Sequence, residues 1–391
     1  MTTMQTNASE PASQAQVRRR KVYYVSGFDP RGAAFYHRLY REEAARQSVH
    51  HGDGRVEVGA RSRRGPHVSG WDVAGRWGAH EVVTEYQFLH WDDLVRSQWE
   101  PNLLRLLWSA MASYAGYARC GAFARLRRGF RGPFYSALYP VAYVALVLLL
   151  GLGAGAAVLA LLGAALPPLA ASAAALAVAG GAIWSGMSLG NRLAVFWLLR
   201  TYRCVHGWGV REQPELDRRI EELAAWIRED LQRSPADEAL LIGHSVGSIV
   251  ATSLAARLLD ALPPEQRRTM TLITLGQCIP LLGLIPTATA FRASLRRLGQ
   301  EREMQWFDMN ARADSLCFAQ VSPLEIAGIA GNAGRPLRLV VRPFRMFGKG
   351  EYARMKLSKQ RLHFQYLMAS ALPNEYDYFR MTAGPSRIRP F

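Results

Sequence analysis

Gly243-His244-Ser245-Val246-Gly247 is the stretch that decides how this chain folds. An apolar run, Ala239 to Ile242, precedes it, and small and β-branched residues, Ser248 to Thr252, follow it. Strand, abrupt turn and helix are therefore predicted in that order, which is the context of a G-x-S-x-G nucleophile elbow. The two glycines permit the tight turn, because a side chain there would collide with the strand and the helix. The turn would raise the hydroxyl of Ser245 above the sheet edge, with the backbone N–H of Val246 beside it.

Short apolar strands alternate with helices on both sides of this elbow. Besides the strand that leads into it, strands are predicted at 22–25, 55–60, 82–89, 269–275, 304–309 and 337–341. The Gly-, Arg- and Trp-containing stretch 61–78 is predicted as a loop. Strands that alternate with helices favour an α/β fold with a mostly parallel sheet flanked by helices.

Charge is distributed unevenly along the 391 residues, whose net charge is +17. The segment from Gly132 to Asn191 has no Asp, Glu, Lys or Arg, and arginines crowd on both sides of it. A basic protein can bind nucleic acid or an anionic membrane surface. The uncharged segment favours the lipid bilayer as partner, and no nucleic-acid-binding motif accompanies the arginines.

Two membrane spans are predicted inside the uncharged segment, at about 141–162 and 169–189. Each has the roughly 20 apolar residues that are needed to cross a bilayer. Pro167 and Pro168 break the chain between them. The flanks are rich in arginine and the turn has none, so the positive-inside rule predicts that both termini and the globular part are cytoplasmic.

A serine hydroxyl needs a base within hydrogen-bond reach in order to act as a nucleophile. Of the nine histidines only His363 lies after Ser245, and chains with this elbow place serine, acid and histidine in that order. The acid that would orient His363 is Asp314, just past a predicted strand, or Asp308, inside that strand. We prefer Asp314, because the side chain of Asp308 would project from the face of the sheet.

Two backbone N–H groups are candidates for an oxyanion hole. One belongs to Val246, which directly follows the serine. The other belongs to Phe28, in the turn Ser26-Gly27-Phe28-Asp29 after the first strand.

These residues resemble the α/β-hydrolase superfamily, and especially its lipase and esterase branch. The resemblance rests on 243–247, on Leu275-Gly276-Gln277, on the order of Asp314 and His363, and on His363-Phe364-Gln365-Tyr366. It covers roughly residues 21–100 and 212–370, and the predicted membrane hairpin between them departs from it. The resemblance implies acyl transfer from an ester or thioester through an acyl-enzyme on Ser245.

The chain is accordingly divided into five segments. They are a disordered basic arm (1–20), the N-terminal part of the α/β-hydrolase domain (21–100), an insertion with the two transmembrane helices (101–211), the C-terminal part of the domain (212–372) and a C-terminal tail (373–391).

The sequence predicts a membrane-anchored serine hydrolase that cleaves carboxylic esters or thioesters, lipid esters among them. A catalytically silent α/β-hydrolase scaffold that acts as a membrane-bound interaction protein is the alternative. No nucleotide-binding or metal-binding motif is present, so no cofactor or metal is expected. The sequence gives no indication of an oligomeric state.

Overall fold

The structure is a computed structural model that describes residues 16–52, 54–332 and 334–388. Its centre is one nine-stranded sheet. The strands are β1 (Arg19–Val25), β2 (Arg55–Val58), β3 (Ser62–Gly65), β4 (Val68–Trp77), β5 (His80–Leu89), β6 (Glu238–His244), β7 (Met270–Leu275), β8 (Gln305–Asn310) and β9 (Leu337–Val340).

The sheet is mixed but mostly parallel. Its strand order is β2-β4-β5-β1-β6-β7-β8-β9, and β3 pairs with β4. All pairs from β5 through β9 in that order are parallel, whereas β4 is antiparallel to β2, β3 and β5. The predicted α/β class with a mostly parallel sheet is confirmed. Because β6 lies between β1 and β7, the Gly243–Gly247 turn emerges near the middle of the carboxyl edge of the sheet.

The prediction of a loop at 61–78 is wrong, because this stretch forms β3 and β4. Strand β4 pairs with β5 without interruption from Val68 opposite Leu89 to Trp77 opposite His80. Trp71, Val73 and Trp77 are buried on one face, which is the alternation of a half-buried strand. Glycines and arginines between them hid this period in the sequence.

Helices cover both faces of the sheet or belong to the insertion at 101–211. They are α1 (Gly32–Gln47), α2 (Asp92–Ser97), α3 (Leu103–Arg119), α4 (Ala122–Gly129), α5 (Arg131–Leu162), α6 (Pro168–Arg192), α7 (Val195–Val210), α8 (Pro214–Arg233), α9 (Gly247–Ala261), α10 (Pro264–Thr269), α11 (Pro280–Gly283), α12 (Thr289–Gln300), α13 (Pro323–Ile326), α14 (Pro343–Met346), α15 (Lys349–Met355), α16 (Lys359–Phe364) and α17 (Tyr378–Ala383).

Two apolar cores result, one on each face of the sheet. One contains buried residues of α8, α9 and α12, and α3 and α7 of the insertion extend it. The other contains buried residues of α1, α16 and α17. Helix α8 illustrates why: Ile220, Leu223 and Ile227 recur at helical spacing and are buried, as an amphipathic surface helix requires.

Helices α5 and α6 form a pair that we call the apolar hairpin. They have 32 and 25 residues and are long and apolar enough to cross a membrane. The predicted spans lie within them. The helices approach closely at small residues, since a Cβ on Gly155 would lie 2.9 Å from the carbonyl oxygen of Ala175 and 2.9 Å from Cβ of Ala179. Both ends of the apolar hairpin connect to the rest of the fold through α4 and α7.

Both terminal boundaries differ from the sequence prediction. Residues 1–15 of the predicted arm lie outside the described residues, but β1 already begins at Arg19. Arg20 is buried, and its guanidinium pairs with Glu238 at 2.7 Å and donates to the carbonyl oxygen of Gly384. The predicted tail, described to residue 388, includes α17, which packs on the sheet, and the Trp77 indole donates to the carbonyl oxygen of Ala383 at 2.8 Å.

Candidate active site

Ser245 lies on a strained turn between β6 and α9. Its φ is +56°, a left-handed value that is uncommon for a non-glycine residue. Its backbone is fixed on both sides, because its N–H donates to the carbonyl oxygen of Leu275 at 2.9 Å and its own carbonyl oxygen accepts from the N–H of Cys278 at 3.3 Å. A Cβ on Gly243 would lie 2.7 Å from Cβ of Ala251, so the strand and helix meet too closely for a larger residue. Strain of this kind persists only where the surroundings over-determine it.

His363 and Asp314 form a buried hydrogen-bonded pair. Nδ1 of His363 lies 2.7 Å from Oδ2 of Asp314, and Asp314 lies in the loop after β8. The carboxylate also accepts from the Tyr366 hydroxyl at 3.0 Å and from the N–H of Leu316 at 3.0 Å. Burial opposes ionisation of Asp314, but His363 and the hydrogen bond from the N–H of Leu316 together hold its pKa below the usual value. Asp314 is therefore a carboxylate aimed at His363.

Asp308 does not reach His363. It lies within β8 and bonds with the Thr274 hydroxyl at 2.8 Å and the Asn310 amide at 3.1 Å. Burial raises the pKa of Asp308 to about 7, against the opposing effect of these two hydrogen bonds. Of the two acids that the sequence offered, only Asp314 contacts His363.

The bond between Ser245 and His363 is not formed in this structure. Nε2 of His363 is buried and has no hydrogen-bond partner among the described residues. The hydroxyl of Ser245 lies instead 3.7 Å from Sγ of Cys278. Burial raises the pKa of that thiol to about 12, so it is protonated.

His244 packs directly against His363. Its Nε2 donates to the carbonyl oxygen of His363 at 3.0 Å, and the ring centroids are 4.8 Å apart. Burial first, and then the neighbouring His363, lower the pKa of His244 to about 3. A neutral imidazole therefore fixes the backbone of the residue that bonds with Asp314.

Two backbone N–H groups flank Ser245. A Cβ on Gly27 would lie 3.0 Å from Cβ of Ser245 and 3.5 Å from its hydroxyl oxygen, so the loop after β1 passes beside the serine. Neither the N–H of Phe28 nor that of Val246 donates a hydrogen bond to another described residue. Both groups remain available for an anion.

Trp197, at the start of α7, covers this cluster from the insertion. Its indole N–H donates to the carbonyl oxygen of Phe28 at 2.8 Å, and its ring meets that of His363 edge-on at 6.0 Å. Ser245 itself is only 3% exposed. The sequence did not point to Trp197, because nothing in its local pattern distinguishes it from the other nine tryptophans.

The described residues contain no group of three or more His, Cys, Asp or Glu side chains that could hold a metal ion. Comparison of the chain with protein-family models, curated proteins and solved structures finds no match.

Proposed function

We propose that this chain is a serine hydrolase of the α/β-hydrolase type, which cleaves carboxylic esters or thioesters through an acyl-enzyme. The observation that carries the proposal is the His363–Asp314 pair. The 2.7 Å bond to Asp314 occupies Nδ1 and leaves Nε2 buried without a partner. That arrangement suits a general base for the hydroxyl of Ser245.

In the proposed reaction the Ser245 hydroxyl oxygen attacks the carbonyl carbon while Nε2 of His363 takes its proton. Asp314 accepts from Nδ1–H and stabilises the imidazolium. The oxyanion accepts from the N–H groups of Phe28 and Val246. The bond to the leaving group then breaks, and the leaving group takes the proton from Nε2. Water attacks the acyl-enzyme, with His363 again as base, and releases the acid and free Ser245.

The apolar hairpin is proposed to hold this domain at a membrane. Its helices are long enough to span a bilayer, and arginines lie at both of its ends next to the sheet domain. By the positive-inside rule the domain and both termini face the cytoplasm. Protease added to sealed inverted membrane vesicles should digest the domain, whereas protection of the domain would contradict this orientation.

A catalytically silent scaffold remains the second candidate. The observation that favours it is the unformed bond between Ser245 and His363, together with the closed surface over Ser245. Hydrogen bonds of this kind are often long in ligand-free enzymes and tighten when substrate binds, so an unformed bond is compatible with catalysis.

Labelling by a fluorophosphonate probe separates the two candidates. We expect the full chain in nonionic detergent to be labelled, and Ser245→Ala to lose all labelling. Ser253→Ala is the matched control, since Ser253 lies two turns further along α9 and its hydroxyl bonds only with the carbonyl oxygen of Ile249. Absence of labelling in the folded wild-type chain, or labelling that survives in Ser245→Ala, would overturn the hydrolase proposal.

A further inference from the structure

A cavity of about 470 Å³ lies beside the candidate active site. Apolar and aromatic side chains form much of its wall, among them Trp99, Trp197, Phe364 and Met368. Two arginines, Arg31 and Arg361, also line it. A larger cavity of about 650 Å³ lies between α8, α9 and α12. Ser245, His363 and Asp314 line neither cavity, but only the smaller one is lined by Trp197 and Phe364, whose rings lie beside that of His363.

Trp197 separates the smaller cavity from the reacting groups. Its ring lines the cavity and also meets the ring of His363 edge-on. Phe364, another lining residue, directly follows His363, and Asp29 directly follows Phe28. Trp197 therefore lies between the cavity and the ring of His363, and its indole hydrogen bond to the carbonyl oxygen of Phe28 holds it there in this structure.

The charge of the cavity is positive and incompletely balanced. Asp29 is paired with Arg31 at 2.6 Å. Arg361 is half-buried and donates to the neutral side-chain oxygen of Gln365 at 2.8 Å. No carboxylate of the described residues lies within 4.0 Å of it, and Glu43 and Glu351 act on it only from a greater distance. Burial lowers the pKa of Arg361, which an anion placed beside it would counteract.

The cavity mouth adjoins the base of the apolar hairpin. Ser358 and Gln360 line the cavity and flank Lys359, whose ammonium lies 3.2 Å from the ring centroid of Tyr139 in α5. Leu357, immediately before them, is 80% exposed. If α5 crosses a bilayer, this mouth lies at the level where lipid headgroups meet the domain.

We propose that this cavity binds the anionic group of an amphiphilic ester, with Arg361 as its counter-ion and Trp197 as a movable wall towards Ser245. The inference rests on the proposed hydrolase function. The anionic group belongs to the alcohol part of the ester, because His363, which gives its proton to the departing oxygen, adjoins the cavity-lining residues Trp197 and Phe364. Phosphate or carboxylate would suit the guanidinium, and the aromatic wall would contact the adjoining carbon chain.

Binding of hexyl phosphate to the full chain carrying Ser245→Ala tests the site without requiring hydrolysis. In nonionic detergent, calorimetry should give a Kd at least tenfold lower for hexyl phosphate than for hexanol. Adding Arg361→Gln should raise the Kd for hexyl phosphate about tenfold, and Arg361→Lys should restore part of the affinity. Arg354→Gln, at an exposed arginine on α15, is the matched control and should leave the Kd unchanged.

Equal binding of hexyl phosphate and hexanol would overturn the proposal, and so would a Kd that Arg361→Gln does not change. The comparison of the two ligands needs no Arg361 variant, so it stands even where that substitution impairs folding. In the active chain, Arg361→Gln should lower the kcat/KM ratio of an anionic butanoyl glycerol phosphate to neutral monobutyrin about tenfold. Failure of the hydrolase function would abolish hydrolysis of both esters but leave the binding result intact.

Discussion

Nε2 of His244 donates a hydrogen bond to the carbonyl oxygen of His363 across 3.0 Å, and the two rings pack together. The residue before Ser245 thus fixes the backbone of the proposed base, although it touches neither the serine hydroxyl nor Asp314 by a hydrogen bond. We expect His244→Leu to lower kcat about five- to tenfold with little change in KM, since one buried hydrogen bond is lost. His244→Gln, which retains a donor, should recover most of the rate. Equal rates for the two variants, measured with 4-nitrophenyl butyrate, would show that the hydrogen bond does not position His363.

Replacing Asp314 and replacing Asp308 should affect activity very differently. Asp314→Asn removes the carboxylate that holds Nδ1–H of His363, so kcat should fall by about 10⁴-fold, as for an amide in place of a triad carboxylate. Asp308→Asn should retain nearly full activity, because Asp308 bonds only with its neighbours in the sheet. A large loss for Asp308→Asn with a small loss for Asp314→Asn would reverse the assignment of the acid.

The raised pKa of Asp308 makes stability depend on pH. Its folded pKa is about 7, against about 4 for an unfolded aspartate, so the folded state binds the extra proton between these values. The contribution is fully present below pH 4 and is lost as the pH rises towards 7. This contribution to the free energy of unfolding is about 4 kcal/mol. We expect the thermal midpoint of the wild-type chain to fall over this interval relative to that of Asp308→Asn. Parallel curves of thermal midpoint against pH for the two proteins would contradict a raised pKa of the buried Asp308.

The parts of the fold that the sequence predicted are those where local pattern and burial agree. The apolar strands before Ser245 and at 269–275, which are β6 and β7 and are buried throughout, are examples. Strand β4 was missed because its buried residues Trp71, Val73 and Trp77 stand among glycines and arginines. Gly75 is one of these, and the carbonyl oxygen of Ala383 from distant α17 occupies the space that a side chain there would need. Only the tertiary structure explains that glycine.

The candidate site was likewise predicted only in part from the sequence. Ser245, Asp314 and His363 were selected by motif and chain order, and the structure brings Asp314 and His363 into contact. Trp197 comes from the insertion, far from the motif in sequence, and reaches the site only because α7 returns to the sheet after the apolar hairpin. His363 lies in the last turn of the short helix α16. Contacts between distant segments carry no local signal, so the sequence could not predict this cover.

The close approach of Gly27 to Ser245 predicts a selective loss of activity. In Gly27→Ala the new Cβ would lie 3.0 Å from Cβ of Ser245, so the serine or the Phe28 loop must shift by a few tenths of an ångström. Since small misplacements of reacting groups are costly, we expect kcat to fall about 100-fold. Gly348→Ala, which has open space around it, is the control. Unchanged kcat in Gly27→Ala would argue against an oxyanion hole at Phe28.

Two glycines on α5 test how the apolar hairpin packs. A Cβ on Gly155 meets the backbone of Ala175 and the side chain of Ala179, whereas a Cβ on Gly153, half a turn away, meets nothing within 4 Å. Gly155→Val should therefore force α5 and α6 apart and destabilise the protein by about 1–3 kcal/mol, as overpacking does. Gly153→Val changes the same helix by the same substitution and should leave the thermal midpoint in detergent nearly unchanged. Because α6 leads directly into α7 and Trp197, fluorophosphonate labelling of Gly155→Val should also change in rate. Equal midpoints for the two variants would mean that the helices do not pack through Gly155.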